Sequence, residues 1–237
     1  MPRHIACLSF DFDTWSGFAA RGMTSPTPVS RGEFGVVGAG RILELLRSRG
    51  IASSWYVPGV VIKTYPQVCE AAVWAGHEVG RHGWSHVPPA QLEPAREAEE
   101  FALGVEAIRA LTGHRPSGYR SPAWDLSDRA IDLLLEHGLD CDSAMMGHDC
   151  LPCFHRLGDV VLADRPTAFG PRTRMVEIPI SWSLDDHPHF EFVHGRDCSI
   201  MPGLANASAV LENWIADFEC MRRTAEWGML AQPSTFR

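Results

Sequence analysis

The chain has 237 residues, 45% of them hydrophobic and 21% charged, an ordinary balance for a folded protein with a buried core. Its net charge of −8 leaves no surplus of lysine or arginine to neutralise phosphates, so nucleic acid is not an expected partner. No stretch approaches the roughly 18 apolar residues of a membrane span, which sets aside a membrane partner as well.

The first apolar run is broken by Asp11 and Asp13, and the basic start, apolar stretch and small-residue cleavage site of an export signal are missing. The expected location is cytoplasmic. Seven cysteines, an odd number spread along the chain, fit free thiols in a reducing compartment better than a disulfide framework.

Ile5 to Phe12 reads as the first strand. Arg41 to Arg49 carries Ile42, Leu45 and Leu46 at helical spacing and stops at Gly50. Ile51 to Val57 is β-branched and aromatic, and Pro58-Gly59 breaks it. Pro66 opens a short helix through Trp74, and Glu78 to His82 reads as another strand. A long helix spans Glu93 to Leu111, with Pro94 tolerated in its first turn and Phe101, Val105, Ile108 and Leu111 as its buried stripe. Ser127 is the expected cap of a helix bearing Ile131, Leu134 and Leu135 and ended by Gly138.

Two further strands are expected at Asp159 to Ala163 and Val176 to Ile180. A last helix covers Ala207 to Arg223, with Val210, Trp214, Ile215 and Phe218 facing inward. His148, Cys150, Cys153 and His155 could in principle hold a structural zinc, but four ligands within eight residues would strain a tetrahedral site. That segment reads instead as a polar loop with incidental cysteines. The alternation of strands and helices implies an α/β fold with a largely parallel sheet, in one domain spanning residues 1–237.

In such folds the chemistry sits at the C-terminal ends of strands. Asp11, Asp13, His82 and Arg120 all fall at such ends. Asp11 and Asp13, two apart on a strand, project to the same side, and a cation beside them would relieve their repulsion. One could bind metal while the other serves as base. His82 and His86, four apart, can direct both imidazoles to one ion if the segment is helical or tightly turned. An arginine at position 120 can hold a carboxylate ionised and aimed. Trp84, Trp124, Trp182 and Phe190 could line an apolar slot, or equally serve as core.

These elements, in this order, resemble the NodB-like polysaccharide deacetylase family, carbohydrate esterase family 4. Asp11 and Asp13 stand where the family has its catalytic and its metal-binding aspartate. His82 and His86 match its H-x-x-x-H ligands, and Arg120 and Pro122 its R-x-P motif. The segments Pro28 to Gly35 and Ile178 to Asp186 resemble the branch that holds a peptidoglycan deacetylase and cyclic imide hydrolases.

The resemblance implies an irregular (β/α) barrel and a hydrolase of carbon–nitrogen bonds other than peptide bonds. It implies a divalent metal, with zinc the expected ion, on Asp13, His82 and His86. Asp11 would be the base with Arg120 behind it, and Trp84, Pro122, Trp124, Trp182 and Asp186 would contact substrate. The complete ligand set argues against a metal-free, allantoinase-like relative. The expected substrate is an N-acetylated sugar or a small amide such as a cyclic imide or ureide, and relatives of the branch form homo-oligomers.

The family's late histidine, which protonates the leaving amine, has no match after Leu230. This leaves a missing segment of chain, His187, His189 or His194 as substitutes, or a catalytically impaired binding or assembly protein. It also leads to the expectation that the usual C-terminal strand and helix are lacking.

Overall fold

The first apolar run becomes β1 (His4–Asp11), which ends on the first carboxylate so that Asp13 lies just beyond it. The structure, a computed structural model, describes residues 3–195 and 199–235. After a short helix α1 (Ser16–Ala20), a 24-residue helix α2 (Pro26–Arg49) leads through Gly50 to β2 (Ser54–Val57). Sequence periodicity revealed only the second half of α2. Glycines at 32, 35, 38 and 40 disguise the first half as a loop, yet Gly32 is needed where it stands. A Cβ there would lie 2.5 Å from the Cα of Trp15, so only glycine lets the helix approach the segment after β1.

Helices α3 (Gly59–Thr64) and α4 (Pro66–Trp74) precede β3 (Glu78–Arg81), and α5 (Pro94–Thr112) precedes β4 (Gly118–Tyr119). Then come α6 (Ala130–Glu136), β5 (Cys141–Asp142), β6 (Cys153–Arg156) and β7 (Arg172–Glu177). A short helix α7 (His187–Phe190) and the strands β8 (Phe192–His194) and β9 (Ile200–Pro202) are followed by α8 (Ala207–Thr224) and β10 (Gly228–Thr235).

The main sheet has eight strands in the order β10-β1-β2-β3-β4-β5-β7-β6. Its neighbours are parallel except for the antiparallel pair β6 and β7. Curled, with helices on its outside, it is the irregular (β/α) barrel of the NodB type that the motifs imply, and it runs from β10 at one edge to β6 at the other. One apolar cluster joins Phe10, Phe12, Trp55, Val57 and Ile108. A second joins Phe101, Val105, Tyr119, Leu134 and Met175. Together they anchor the strand ends on which the polar groups stand.

Five expectations change. Residues Gly228–Thr235, where no strand was foreseen beyond Leu230, form β10 and pair with the whole of β1, Asp11 opposite Thr235. Asp159 to Ala163 is not a strand: only an isolated bridge between Val160 and Ala168 forms, and Val161 is 70% exposed. The strand expected at Val176 to Ile180 lies earlier, at Arg172–Glu177, before Pro179, which has no N–H for a ladder. Ile215 faces solvent instead of the core, being 54% exposed. Ser127 does not cap the α6 backbone from the N-cap position, which is Arg129. Its hydroxyl instead accepts from the Arg129 N–H at 3.2 Å and donates to Glu97. The six cysteines among the described residues are free thiols, and Cys198 lies outside those residues.

Candidate active site

Three strand ends converge on one small volume. Asp13 follows β1, His82 follows β3, and Arg120 follows β4, because the parallel ladder sets these strands in register. The turn carrying His86 is not helical: Gly83 has φ +71°, and a Cβ there would meet the Pro122 ring at 3.0 Å. A left-handed residue pressed against a neighbouring ring calls for glycine, and the tight turn it permits brings His86 back beside His82. Their rings lie 4.9 Å apart, nearly perpendicular.

Asp13 stands between the two imidazoles. Its Oδ1 is 3.4 Å from His82 Nε2 and its Oδ2 is 3.1 Å from His86 Nε2. All three residues are buried, and their ligand atoms form one of the compact groups that could hold a metal ion. His82 is oriented through its other nitrogen, Nδ1, which is 2.8 Å from the Arg120 carbonyl. As the carbonyl can only accept, Nδ1 carries the hydrogen and Nε2 is left with a lone pair toward Asp13. Burial, set against the charges of Asp11 and Asp13, depresses the His82 pKa, favouring this neutral, ligand-ready ring.

Arg120 is only 1% exposed. Its Nη1 donates to Asp11 Oδ1 at 2.7 Å, its Nη2 to the Ser9 and Ser143 hydroxyls, and its Nε to the Ser143 carbonyl. Burial alone would disfavour its charge, but Asp11 outweighs that and the guanidinium is held above its ordinary pKa. Asp11 is thus held chiefly by the arginine, with His82 Nε2 4.0 Å from its Oδ2, while Asp13 lies closer to both imidazoles.

A cavity of about 540 Å³ opens over these groups. Trp124 and Trp182 meet on its wall with centroids 4.0 Å apart and ring planes tilted by 31°, and His187, Met201 and Pro202 line it from α7 and β9. Among the described residues, the non-glycine positions with positive φ are Thr14, His86, Ala123 and Trp124. His86, Ala123 and Trp124 line the cavity and Thr14 follows Asp13, so the unfavourable backbone is concentrated at this site.

Of the ten sequence-derived site residues, the structure brings Asp11, Asp13, His82, His86, Trp124 and Trp182 to the cavity, with Arg120 buried behind Asp11. Trp84 packs against the apolar core instead, and Pro122 is buried beside Gly83. Asp186 is turned to a side pocket, where its Oδ1 accepts from the Thr235 N–H at 2.7 Å, and Phe190 lies there with it.

Its neighbour Asp185 is the carboxyl that lines the main cavity, a residue the motif reading passed over. Burial, and then the negative charges of Asp186 and Asp11, push Asp185 up to about 8. No sequence signal separates 185 from 186. The turn before α7 decides which of the two faces inward. His189 Nε2 lies 3.2 Å from the Ser183 carbonyl and His194 sits in β8, so among the three substitute histidines His187 is the one lining the cavity.

A curled parallel sheet with a carboxylate–imidazole cluster at its strand ends defines a hydrolase-like site, and the comparisons with known proteins agree. Residues 37–141 match the family model described as polysaccharide deacetylase. A peptidoglycan deacetylase of Helicobacter pylori is 33% identical over 96% of this chain and 81% of its own length. A solved structure from Mycobacterium smegmatis, assigned to the polysaccharide deacetylases, superposes with a TM-score of 0.79 at 26% identity, covering 98% of this chain and 77% of that one. The Puue allantoinase structure shares the fold, with a TM-score of 0.75 at 19% identity over 98% of this chain and 78% of its own. The chain belongs to the polysaccharide deacetylase family, whose members hydrolyse carbon–nitrogen bonds other than peptide bonds.

Proposed function

We propose that this protein is a metal-dependent amide hydrolase that removes the acetyl group from an N-acetylated sugar of the peptidoglycan type. The observation that carries the reading is the division between the two carboxylates: Asp13 lies against His82 and His86, while Asp11 lies on Arg120. Two imidazoles and one carboxylate, all buried, suit a divalent ion such as zinc, and the donor set leaves room for substrate on the cavity side. Such an ion would polarise the amide carbonyl and stabilise the charge that develops on its oxygen.

The protein's own groups supply the proton chemistry. Asp11, aimed by the hydrogen bond from Arg120, accepts the proton of the attacking water. His82 is kept in position by the Arg120 carbonyl, so one residue orients both the base and a ligand. The leaving nitrogen needs a proton, and Asp185 is a candidate acid in the same cavity, raised to about 8 and therefore protonated at neutral pH. Trp124 and Trp182 form the wall against which a sugar ring or an imide ring would stack.

A second reading, hydrolysis of a small cyclic imide or ureide, is favoured by the apolar cover that Met201 and Pro202 add to the cavity. Assays on an N-acetylglucosamine oligomer and on succinimide, with metal analysis of the same preparation, separate the two. Acetate released from the oligomer supports the first reading; turnover of succinimide alone replaces it with the second. Metal content unchanged in Asp13→Ala or His82→Ala would overturn the ligand assignment. Cytoplasmic action and homo-oligomer formation belong to the same proposal, tested by cell fractionation and by light scattering.

A further inference from the structure

A second cluster of ligand-type side chains lies away from the cavity, at the β5, β6 and β7 side of the sheet. Asp142 ends β5, Glu177 ends β7 directly opposite it in the parallel register, and His155 comes from β6. The pairing of β6 with β7 is irregular between Phe154 and Arg156, and this turns the side chains against their usual preference. Phe154 is 49% exposed, while His155 is 2% exposed and the two carboxylates are 0% exposed. An apolar ring left outside and an imidazole brought in has a cost that needs a compensating interaction.

His155 Nε2 lies 3.0 Å from Glu177 Oε2 and 3.5 Å from Asp142 Oδ2. None of His155 Nε2, Glu177 Oε2 and the two Asp142 oxygens makes a hydrogen bond of ordinary geometry. Glu177 is aimed by its other oxygen, which accepts from the Met145 N–H at 2.9 Å. The spacing is that of neighbouring ligands on a small tetrahedral ion, about 3.3 Å for bonds of about 2.0 Å.

We propose that Asp142, His155 and Glu177 form a second, fully buried structural metal site that takes zinc or a similar small divalent cation. Each of the three residues offers one ligand atom, so together they supply three corners of a tetrahedral site. Two carboxylates and a neutral imidazole then balance the ion's charge, which is what a site without water requires. In the absence of a cation, burial and then the charge of Glu177 drive Asp142 well above the ordinary carboxylate range, and burial pushes Glu177 up to about 8, so protons would take the cation's place. The site also has a structural consequence. Ser143, which receives Arg120 through both its carbonyl and its hydroxyl, follows directly on Asp142, so an ion here would brace the strand end that holds Arg120.

The proposal stands independently of the metal at Asp13, and its test is designed to show that. The double variant Asp13→Ala/His82→Ala, incubated with zinc and desalted, should retain one equivalent by mass spectrometry of the metal, and addition of His155→Gln should remove it. A double variant without metal, or a triple variant that still holds it, overturns the second site. Because the triple variant could fail to fold, anomalous diffraction at the zinc edge from crystals of the unaltered protein gives a second reading. A peak between Asp142, His155 and Glu177 supports the site. Its absence from zinc-soaked and zinc-grown crystals alike means that the cluster is held by protons alone.

Discussion

Arg120 donates to Asp11 across 2.7 Å with both side chains buried, and the same arginine's carbonyl receives His82. A residue absent from both the ligand set and the cavity wall thereby positions one member of each proposed role. Arg120→Lys keeps the charge but loses the fork that reaches Asp11, Ser9 and Ser143 together. The expected outcome is a fall in kcat of about 10²-fold or more, within the range for a mispositioned acid–base group, with a smaller change in KM. Arg120→Ala leaves a buried carboxylate without its partner and should lower stability by about 3–5 kcal/mol, read from urea denaturation.

Removal of metal tests the Asp13, His82 and His86 cluster. Dialysis against a chelator should abolish hydrolysis, and restoring zinc should recover it. An ion at 100 times its dissociation constant stabilises the folded state by about 2.7 kcal/mol, so the melting temperature should rise with zinc concentration. Any stabilisation that persists in Asp13→Ala would come from another site.

Proton donation by Asp185 predicts a one-sided pH profile. The group is protonated below about 8 and ionised above it, so kcat should fall as pH rises through about 8. Asp185→Asn keeps the shape but has no proton to give. It should lower kcat by about 10²-fold at neutral pH and remove that alkaline limb. An unchanged limb in the variant would assign it to another group, with His187, which also lines the cavity, the next to replace.

Stability at acid pH is set partly by His77, buried where its Nδ1 meets the Ser53 N–H at 3.3 Å. Burial depresses its pKa, so the unfolded chain binds the proton first as pH falls. Its contribution is fully present above the unfolded value of about 6.5 and is lost as pH falls through the depressed folded value. Thermal melts between pH 7 and pH 5 should show this loss, and His77→Asn should flatten it.

The aromatic wall predicts a binding effect. Trp182 is 45% exposed beside Trp124, and truncating it removes apolar surface from the cavity. Trp182→Ala should raise KM about tenfold with little effect on kcat, in keeping with roughly 1.5 kcal/mol of lost contact. Equal losses in kcat and in kcat/KM would mean that the indole acts in the transition state instead.

The amino-acid sequence alone determined the strands and helices with clean periodicity and the chemistry at their ends. Asp11 and Asp13 close an apolar run, and His82 and His86 follow a strand pattern, so local spacing was enough to place them at strand ends. Tertiary structure decided what spacing cannot. Gly32 reads as a helix breaker, and only the approach of Trp15 shows why the helix includes it. Trp84 and Trp124 are alike as sequence, but one packs into the core and the other lines the cavity. Asp185 and Asp186 are adjacent carboxylates whose roles part because the turn before α7 sends one inward. Asp142, His155 and Glu177 lie far apart along the chain and share no motif. The parallel register of β5 with β7 and the irregular pairing of β6 bring them together, since contacts between distant residues are set by strand pairing and not by local periodicity.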